Sequence, residues 1–560
     1  MPTKPAKPKQ KQKAQHPRTI GVTVPLFSLR SDASWGIGEI GDLPPLAALL
    51  AQAGVGLLQL LPIAEISLGN TSPYAALSAF GIDPMFLSLT HVADLQALSN
   101  EQALGHDGAA RLASLRRAPG VDYEAVRPLK RRALVAGLKV FHERELSAGT
   151  GRSRRARSFI DFLHAHADWL PDYAIYRAIK DEHRGAAWWE WPEPLRDRDP
   201  AALRAARARL AEPILLHEYT QWLAHAQWAD ARAAVNHLGV ELMGDLPFMV
   251  DRDSADVWAN RDEFRLDMSV GCPADQFDKD GQDWGLPPYH WQRMARDGFK
   301  WLRRRARYAG TLYDRFRIDH LVGFFRTYMR PYEHRRGPDG KLLPGVFDPP
   351  EVPAQKRHGD QVVGAMIASA AEVGARLIAE DLGSIPDYVA PALKKLGAPG
   401  YRVLQWERVR TPPGKPAPAV PDYVDPADYP ALSVACFGTH DTAPVAVWWR
   451  ELGAADRAAF FKLPGFRDMS PKPGSDFTPE VHAALLRLLC GAGSDLVLLL
   501  LQDVLGTADR INVPGTVGPH NWTYRLPASA DVMARDPGVQ AALARLAAAI
   551  AATRRATAVA

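Results

Sequence analysis

The spacing of hydrophobic residues along the chain predicts short buried strands separated by helices. Residues 19–63 have the pattern of a short strand, a glycine-rich loop, an apolar helix and a second strand, LLQLLPI, whose nearly continuous apolar character is typical of a buried parallel strand. From about residue 92 to 225, alanine, arginine and leucine recur at helical spacing, which predicts a long helical insertion. Strands resume from about residue 238, and the proline-rich segment 411–430 predicts a loop.

One of the later strands combines this alternation with charge. In the stretch RFRIDHLVGFFR, charged and hydrophobic residues alternate from Arg315 to Asp319. Successive side chains of a strand point to opposite faces, so Phe316 and Ile318 would share one face and Arg315, Arg317 and Asp319 the other. We expect the apolar face to pack outward against helices, and Arg317 and Asp319 to face the mouth of a functional site.

Several of the predicted strands end on a carboxylate. The endings are VELMGD at Asp245, LYDRFRID at Asp319, ARLIAED at Glu380 and Asp381, and LSVACFGTHD at Asp441, and two further strand-like runs occur at 401–406 and 495–506. Strands that alternate with helices indicate an α/β fold, and right-handed crossovers place the strand C-termini on one rim. Eight such units close into a (β/α)8 TIM barrel with its active site on that rim. We expect Asp381 to cap the next helix, whereas several like charges on one rim indicate a functional site.

Composition indicates an ordinary globular protein. Of the 560 residues, 47% are hydrophobic and 23% are charged. The formal net charge of +5 is matched by five lysines in residues 1–17, which contain no acid, so nucleic-acid binding by the remaining chain is not expected. No apolar run approaches the roughly 18 residues that span a membrane, and we expect neither a secretion signal nor a membrane partner. Three widely spaced cysteines, Cys272, Cys436 and Cys490, favour a cytoplasmic protein.

Three motifs resemble the catalytic signatures of the amylomaltases, which are 4-α-glucanotransferases of the α-amylase superfamily. They are RFRIDHLVGFFR, LIAEDLG and GTHD. Further segments resemble the family in the same order: SPYAALSAFGIDPMFL, WWEWPEPLR, GDLPFMVDRDSADVW, DGQDWGLPPYHW, GAPGYRVLQW and LQDVLGTADRINVPGTVGPHNWTYR. The resemblance covers about residues 19–530. It departs from the family at Thr442 and Ala443, where many members have Asn-Asp.

The resemblance implies a (β/α)8 barrel with inserted, largely helical subdomains and no metal or cofactor. It also implies transfer of an α-1,4-glucan segment to the 4-hydroxyl of an acceptor, with maltooligosaccharides, starch or glycogen as partners. We expect a disordered basic tail at 1–18, a catalytic barrel at 19–530, and a C-terminal helix and tail at 531–560. Insertions are expected at about 92–225, where the segment is helical, and at about 248–300, where it is loop-rich and overhangs the cleft.

Residue by residue, the resemblance implies that Asp319 is the nucleophile, Glu380 the general acid/base and Asp441 the third carboxylate. The candidate substrate-binding residues are Arg317, His440, His320, Asp245, Tyr74 and Trp284. Trp284 shares a glycine- and proline-rich loop with Tyr289, and aromatic faces in such a loop suit stacking on an acceptor sugar.

Breaking a glycosidic bond requires two carboxyl groups in different protonation states. Arg317 would lie on the same strand face as Asp319 and favour its ionised form, as a nucleophile requires. Burial and the charge of Asp319 would raise the pKa of Glu380, as an acid requires. Because double displacement retains configuration, we predict that the two carboxyl groups lie about 5–5.5 Å apart, whereas a separation near 8 Å would indicate inversion.

Other functions stay open at this point. An α-amylase-like retaining hydrolase would use the same three carboxylates, and only its products would distinguish it from a transferase. A glucan-binding protein without catalysis is a second alternative, although all three carboxylates and Arg317 are present. A nucleotide- or phosphate-binding enzyme is not indicated, because the sequence contains neither a P-loop nor a GxGxxG motif after a strand.

Overall fold

A computed structural model describes most of the chain. The described residues are 18–147, 153–274, 280–412, 414, 416, 418–553 and 555. Apart from Arg18, the basic tail expected at 1–18 lies outside the described residues.

Twelve strands occur in the described residues, and most are short. They are β1 (Thr19–Thr23), β2 (Leu57–Gln59), β3 (Glu241–Leu246), β4 (Met268–Cys272), β5 (Gln282–Asp283), β6 (Arg315–Ile318), β7 (Thr327–Pro331), β8 (Val346–Asp348), β9 (Arg376–Ala379), β10 (Gly400–Val403), β11 (Ser433–Cys436) and β12 (Leu496–Leu500).

Eight of these strands form one parallel sheet that curls into a barrel. Its order is β10, β11, β12, β1, β2, β3, β6 and β9, and every neighbouring pair is parallel. Between the two ends of this order, the amide of Ala379 in β9 donates to the carbonyl of Pro399, just before β10 (2.9 Å). This ring of parallel strands confirms the predicted α/β fold with a (β/α)8 barrel.

Helices surround the barrel and fill its longer connections. They are α1 (Leu43–Ala51), α2 (Asn100–Leu104), α3 (Gly108–Arg117), α4 (Tyr123–Phe141), α5 (Arg154–Ala165), α6 (Leu170–Glu182), α7 (Glu193–Arg196), α8 (Pro200–Arg209), α9 (Ala211–His237), α10 (Ala255–Ala259), α11 (Trp291–Arg296), α12 (Lys300–Leu312), α13 (Val352–Ala371), α14 (Val389–Leu396), α15 (Val445–Glu451), α16 (Ala454–Phe460), α17 (Pro479–Cys490), α18 (Leu501–Leu505), α19 (Ala530–Met533) and α20 (Pro537–Ala552). No described helix is both long enough and apolar enough to cross a membrane.

Local chemistry explains where several helices begin. The Thr478 side chain accepts the amide of Val481 before α17, and Asp536 accepts the amide of Val539 (2.9 Å) before α20. Both helices have proline at their first position, where no intrahelical donor is required. These capping contacts fix the direction in which each helix leaves the preceding turn.

The two faces of the barrel strands bury different sets of residues. Met243, Tyr401 and Cys436 belong to a small apolar cluster contributed by the barrel strands. Phe316 and Ile318 belong instead to the much larger cluster that includes the surrounding helices, as the alternation in β6 predicts. Because strand faces alternate, the charged residues of β6 are left on the interior side.

Three long connections between barrel strands carry additional structure. The chain between β2 and β3, residues 60–240, contains α2 to α9 and is largely helical. The connections on either side of β6 supply a second sheet, in the order β5, β4, β7 and β8, whose pairs are antiparallel. The segment 248–300 therefore also contains α10, α11 and two strands.

Some predicted elements differ in detail from the observed ones. The runs predicted at 401–406 and 495–506 are shorter strands, since β10 ends at Val403 and β12 gives way to α18 after Leu500. The prediction that Asp381 caps a helix is wrong. Its carboxylate accepts the amide of Tyr401 in β10 (2.6 Å), and the next helix does not begin until Val389.

Candidate active site

The carboxylates predicted at strand ends gather at the C-terminal rim of the barrel. Asp245 lies near the end of β3, Asp319 directly follows β6 and Glu380 directly follows β9. These three strands are neighbours, and Asp245 is in register with Arg317. Asp441 comes from the turn after β11, and polar contacts connect it to the same group.

The guanidinium of Arg317 contacts three of these carboxylates. Its Nη1 donates to both carboxylate oxygens of Asp245 (2.8 and 2.6 Å). Its Nη2 lies 2.7 Å from Oδ1 of Asp319 and 3.9 Å from Oε2 of Glu380. A planar guanidinium presents several donors in fixed directions, so one cation can serve several carboxylates. Arg317 therefore offsets part of the repulsion among the converging negative charges.

Tyr74 connects this group to His440. The Tyr74 hydroxyl donates to Oδ2 of Asp245 (2.8 Å) and lies 3.0 Å from Nε2 of His440. The two rings are stacked, with centroids 5.7 Å apart and planes inclined by 17°. Burial raises the pKa of the Tyr74 hydroxyl well above its ordinary value, and the neighbouring charge of Asp245 raises it further. The hydroxyl therefore stays protonated and can act as a donor.

Asp441 is held by residues from the segment after α18. The side-chain amide of Asn512 donates to Oδ1 of Asp441 (2.6 Å), and Nη2 of Arg510 donates to the Asp441 carbonyl (3.0 Å). The departure from the family motif at Thr442 has a local role, because its hydroxyl donates to the Thr439 carbonyl (3.0 Å). This bond closes the turn that carries His440 and Asp441.

Glu380 is the most enclosed of the three predicted catalytic carboxyl groups. Its pKa is raised to about 7, mainly by burial. The charge of Arg317 opposes this rise, and the charge of Asp319 adds to it. Two backbone amides also favour the ionised form, since His320 donates to Oε2 and Leu382 to Oε1 (2.7 Å each). A carboxyl group with this pKa can both give and take a proton near neutral pH.

His320 and Trp284 pack together beside the carboxylates. Their ring centroids are 4.9 Å apart in an edge-to-face arrangement, and the Phe248 ring also packs edge-to-face against the imidazole, with centroids 5.7 Å apart. Burial lowers the pKa of His320 to about 4, so its ring is neutral near pH 7. Nε1 of Trp284 donates to the side-chain carbonyl of Gln282 (2.9 Å), which fixes the indole in the β5 segment.

A cleft of about 390 Å³ opens over this group. Tyr74, Asp319, His320 and Trp284 all contribute to its walls. The side chain of Asp319 is 32% exposed, compared with 9% for Glu380, so Asp319 is the more accessible carboxylate. All nine predicted site residues thus form one connected group: Asp319, Glu380, Arg317, Asp245, Tyr74, His440, Asp441, His320 and Trp284.

Sequence reasoning missed some residues of the site and misjudged another. Asn512, Arg510 and Trp522 were not predicted, although Trp522 lies 5.8 Å from the ring of Tyr74. They occur in an irregular segment with no strand-end carboxylate, and the motif NVPGTVGPHNW is the signal that could have identified Asn512 and Trp522. The prediction that Tyr289 offers a stacking face is wrong, because this ring is fully buried and its hydroxyl donates to the Phe248 carbonyl (3.0 Å).

The chain is similar to known proteins over most of its length. Residues 24–530 match glycoside hydrolase family 77, described as 4-alpha-glucanotransferase. The 4-alpha-glucanotransferase of Thermus thermophilus is 32% identical over 523 residues, which cover 91% of this chain and 95% of the relative. That of Chlamydia pneumoniae is 30% identical over 527 residues, which cover 92% of each chain.

Solved structures extend the likeness to three dimensions. The amylomaltase of Streptococcus agalactiae, solved in complex with acarbose, matches with a TM-score of 0.78 at 25% identity over 96% of this chain and 100% of that one. The amylomaltase of Corynebacterium glutamicum shares the fold, with a TM-score of 0.75 at 24% identity over 95% of this chain and 75% of the other. The chain therefore belongs to the 4-α-glucanotransferase family, the amylomaltases, and is an enzyme of that class.

Proposed function

We propose that Asp319 and Glu380 carry out a retaining double displacement on α-1,4-linked glucans. Asp319 attacks the anomeric carbon of the donor while Glu380 protonates the glycosidic oxygen, so the bond to the leaving chain breaks as a bond to Asp319 forms. The ionised Glu380 then takes the proton of an acceptor 4-hydroxyl, whose oxygen displaces Asp319. Two inversions at one carbon leave the α configuration unchanged.

The observation that carries this proposal is the position of Arg317 between the two carboxyl groups. Its Nη2 lies 2.7 Å from Asp319 and 3.9 Å from Glu380. The Arg317 cation contacts Asp319 directly and can balance the charge of an attacking carboxylate, while burial raises the pKa of Glu380 to about 7 and favours an acid. We continue to expect carboxyl groups about 5–5.5 Å apart, as double displacement requires.

We assign the other polar groups to the donor sugar. The Asp441 side chain is 41% exposed, and one of its oxygens is already fixed by Asn512, so it suits two adjacent sugar hydroxyls. Charge-assisted hydrogen bonds of this kind strengthen as the ring distorts toward the transition state. Tyr74 and His440 are candidates for further hydroxyl contacts, together with Asp245 and Arg317 behind them.

We propose that Trp284 supports the acceptor and that the partners are maltooligosaccharides and starch- or glycogen-type glucans. Its indole lies at the wall of the cleft, where a flat apolar face suits the C–H face of a sugar. The acarbose bound in the Streptococcus agalactiae amylomaltase fits a ligand of this class. The three cysteines are widely spaced in the sequence, which fits our expectation of a reducing cytoplasm.

The alternative is a retaining hydrolase, and the products from maltotriose distinguish the two. A transferase releases glucose together with maltooligosaccharides longer than maltotriose, while the number of reducing ends stays constant. A hydrolase increases the number of reducing ends without forming longer products. A steady gain in reducing ends with no product above maltotriose would overturn the transfer assignment.

The covalent step has its own test. With α-maltosyl fluoride as donor, fluoride leaves without help from an acid, so Glu380→Gln should still form the glycosyl ester but resolve it slowly. Mass spectrometry of the digested variant should then find a maltosyl adduct on the peptide containing Asp319, and Asp319→Asn should abolish it. An adduct on another carboxylate, or a product of inverted configuration, would contradict the assignment.

A further inference from the structure

The hydrogen-bond ladder between β6 and β9 skips one residue at the rim. The amide of Glu380 donates to the Ile318 carbonyl, and the Glu380 carbonyl accepts from Leu321 (3.1 Å each). In a regular parallel ladder, the carbonyl would accept from the residue two positions after Ile318, which is His320. His320 is therefore an extra residue in the β6 line, as at a β-bulge, and its amide is released from the ladder.

The released amide has a specific acceptor. It donates to Oε2 of Glu380 at 2.7 Å, and the amide of Leu382 donates to the other oxygen, Oε1, at the same distance. Both carboxylate oxygens of Glu380 are thus fixed by backbone donors. Such bonds favour the ionised carboxylate and restrict its rotation.

His320 achieves this orientation with an unfavourable backbone conformation. Its φ and ψ angles are 45° and 48°, in the left-handed region, which residues other than glycine adopt uncommonly and β-branched residues hardly at all. The imidazole packs against the rings of Trp284 and Phe248, with centroid distances of 4.9 and 5.7 Å. This packing holds the residue in place, as a strained site requires.

We propose that His320 is a positioning residue, whose left-handed bulge takes its amide out of the β6–β9 ladder and directs it to the carboxylate of Glu380. The bulge keeps this carboxylate aligned and ready to lose its proton in the first half-reaction and regain it in the second. The inference rests on the acid/base role proposed for Glu380. It assigns the function to the backbone of His320 and gives the imidazole the role of a packing wedge.

The other charged groups around Glu380 belong to residues that substitutions at position 320 leave chemically unchanged. Arg317 and Asp319 face it from the β6 side, and the buried Tyr401 interacts with it electrostatically from β10. On its own segment, Asp381 is engaged with the amide of Tyr401. A change in the titration of Glu380 on substitution of His320 is therefore attributable to the lost amide contact.

The test compares substitutions that differ in backbone preference but all remove the imidazole. His320→Gly and His320→Asn tolerate the left-handed region, whereas His320→Val disfavours it strongly. The readout is the pH dependence of kcat/KM for maltotriose disproportionation, whose alkaline limb reports ionisation of the acid. We expect His320→Val to move this limb upward by about one pH unit, because an amide bond that favours ionisation is lost. The glycine and asparagine variants should keep the wild-type limb.

Each other result has a definite meaning. Equal shifts in His320→Gly and His320→Val would show that the imidazole matters, and no shift in either would show that the amide does not; both overturn the proposal. Thermal unfolding identifies a His320→Val protein that does not fold. His320→Ala then replaces it, and we expect a smaller upward shift of the alkaline limb because alanine is not β-branched. Full activity of Glu380→Gln would instead overturn the acid/base role of Glu380, which is a separate failure.

Discussion

Arg317 shows how one side chain can hold together several carboxylates that would otherwise repel one another. Three carboxylates converge on its guanidinium, and the arginine side chain is 5% exposed. Each of its terminal nitrogens serves a different part of the group, Nη1 for Asp245 and Nη2 for Asp319. The geometry depends on the fork of the guanidinium as much as on its charge.

Arg317→Lys should therefore reduce activity although it keeps the charge. A single ammonium group cannot hold both oxygens of Asp245 and also contact Asp319. We expect kcat/KM for maltotriose to fall at least about 100-fold, because one partner of a buried network is lost. The matched control is Arg315→Lys. Arg315 lies on the same strand face, but its guanidinium pairs with Glu241 (2.5 Å) away from the cleft. A threefold loss or less in Arg317→Lys would contradict the organising role.

The raised pKa of Glu380 also predicts a pH-dependent stability difference. Its pKa is about 7 in the folded protein against an ordinary value of 4.5. At pH values between these two pKa values, the folded state binds more protons than the unfolded state. The free energy of unfolding therefore falls as the pH rises through this range. The free energy of unfolding of Glu380→Gln, measured relative to wild type, should therefore increase by about 2–3 kcal/mol as the pH is raised from 4 to 8. Urea denaturation of both proteins at pH 4 and pH 8 measures these free energies of unfolding.

The control for this prediction is Glu101→Gln, which removes a carboxylate whose side chain is 78% exposed. Its stability relative to wild type should not change with pH in the same way. If the difference in free energy of unfolding between Glu380→Gln and wild type were the same at pH 4 and pH 8, the pKa of Glu380 could not be strongly raised.

At the scale of an element, helix α13 packs its small residues against the turn that follows β6. A β-carbon at Gly359 would lie 1.9 Å from Cδ1 of Phe325, whereas one at Gly364 would meet nothing closer than Leu396 at 3.6 Å. The same helix thus contains a glycine required for close packing and another that is not.

Alanine substitutions in α13 should accordingly have opposite effects. Gly359→Ala should destabilise the protein by about 1–3 kcal/mol, since the Phe325 ring has to move. Gly364→Ala should stabilise it by about 0.5–1 kcal/mol, because alanine loses less backbone entropy in a helix. Chemical denaturation of both variants decides the matter. Destabilisation of equal size at both positions would show that helix propensity is not the governing factor at Gly364.

The elements also indicate how far sequence reasoning could reach. Strand-end carboxylates and the alternation in β6 were readable because strand periodicity is local, and they located Asp319 and Glu380 correctly at one rim. Asn512 and Trp522 were not found, because an irregular segment has no period. The actual partner of Asp381 could not be foreseen either, since the amide of Tyr401 becomes its neighbour only through the pairing of distant strands.

At the scale of the whole molecule, the cleft is assembled from connections that are far apart in sequence. Tyr74 comes from the chain between β2 and β3, Trp284 from the segment directly after β5, and Asp441 from the turn after β11. The barrel supplies the carboxylates of the rim, and the inserted segments supply much of the wall around them. Changes in the wall should therefore alter which acceptor is used more than the chemistry itself.

Trp284→Ala tests this separation of tasks. Loss of the indole should raise the KM for the acceptor sugar about 3–10-fold, the value of a lost aromatic contact. Water should then intercept more of the intermediate, so the ratio of new reducing ends to transfer products should rise. Trp189→Ala removes a partly exposed indole from the helical insertion and serves as the control. An unchanged product ratio in Trp284→Ala would argue against the acceptor role.

The pairing of β1 with β12 has a consequence for biosynthesis. Thr19 is in register with Leu496, so the first barrel strand to leave the ribosome waits for the last one. At elongation rates of about 5–20 residues per second, the wait is on the order of tens of seconds. During that time β1 presents an unpaired edge to other nascent chains. The ring that later covers this edge of β1 cannot protect the chain while it is being made.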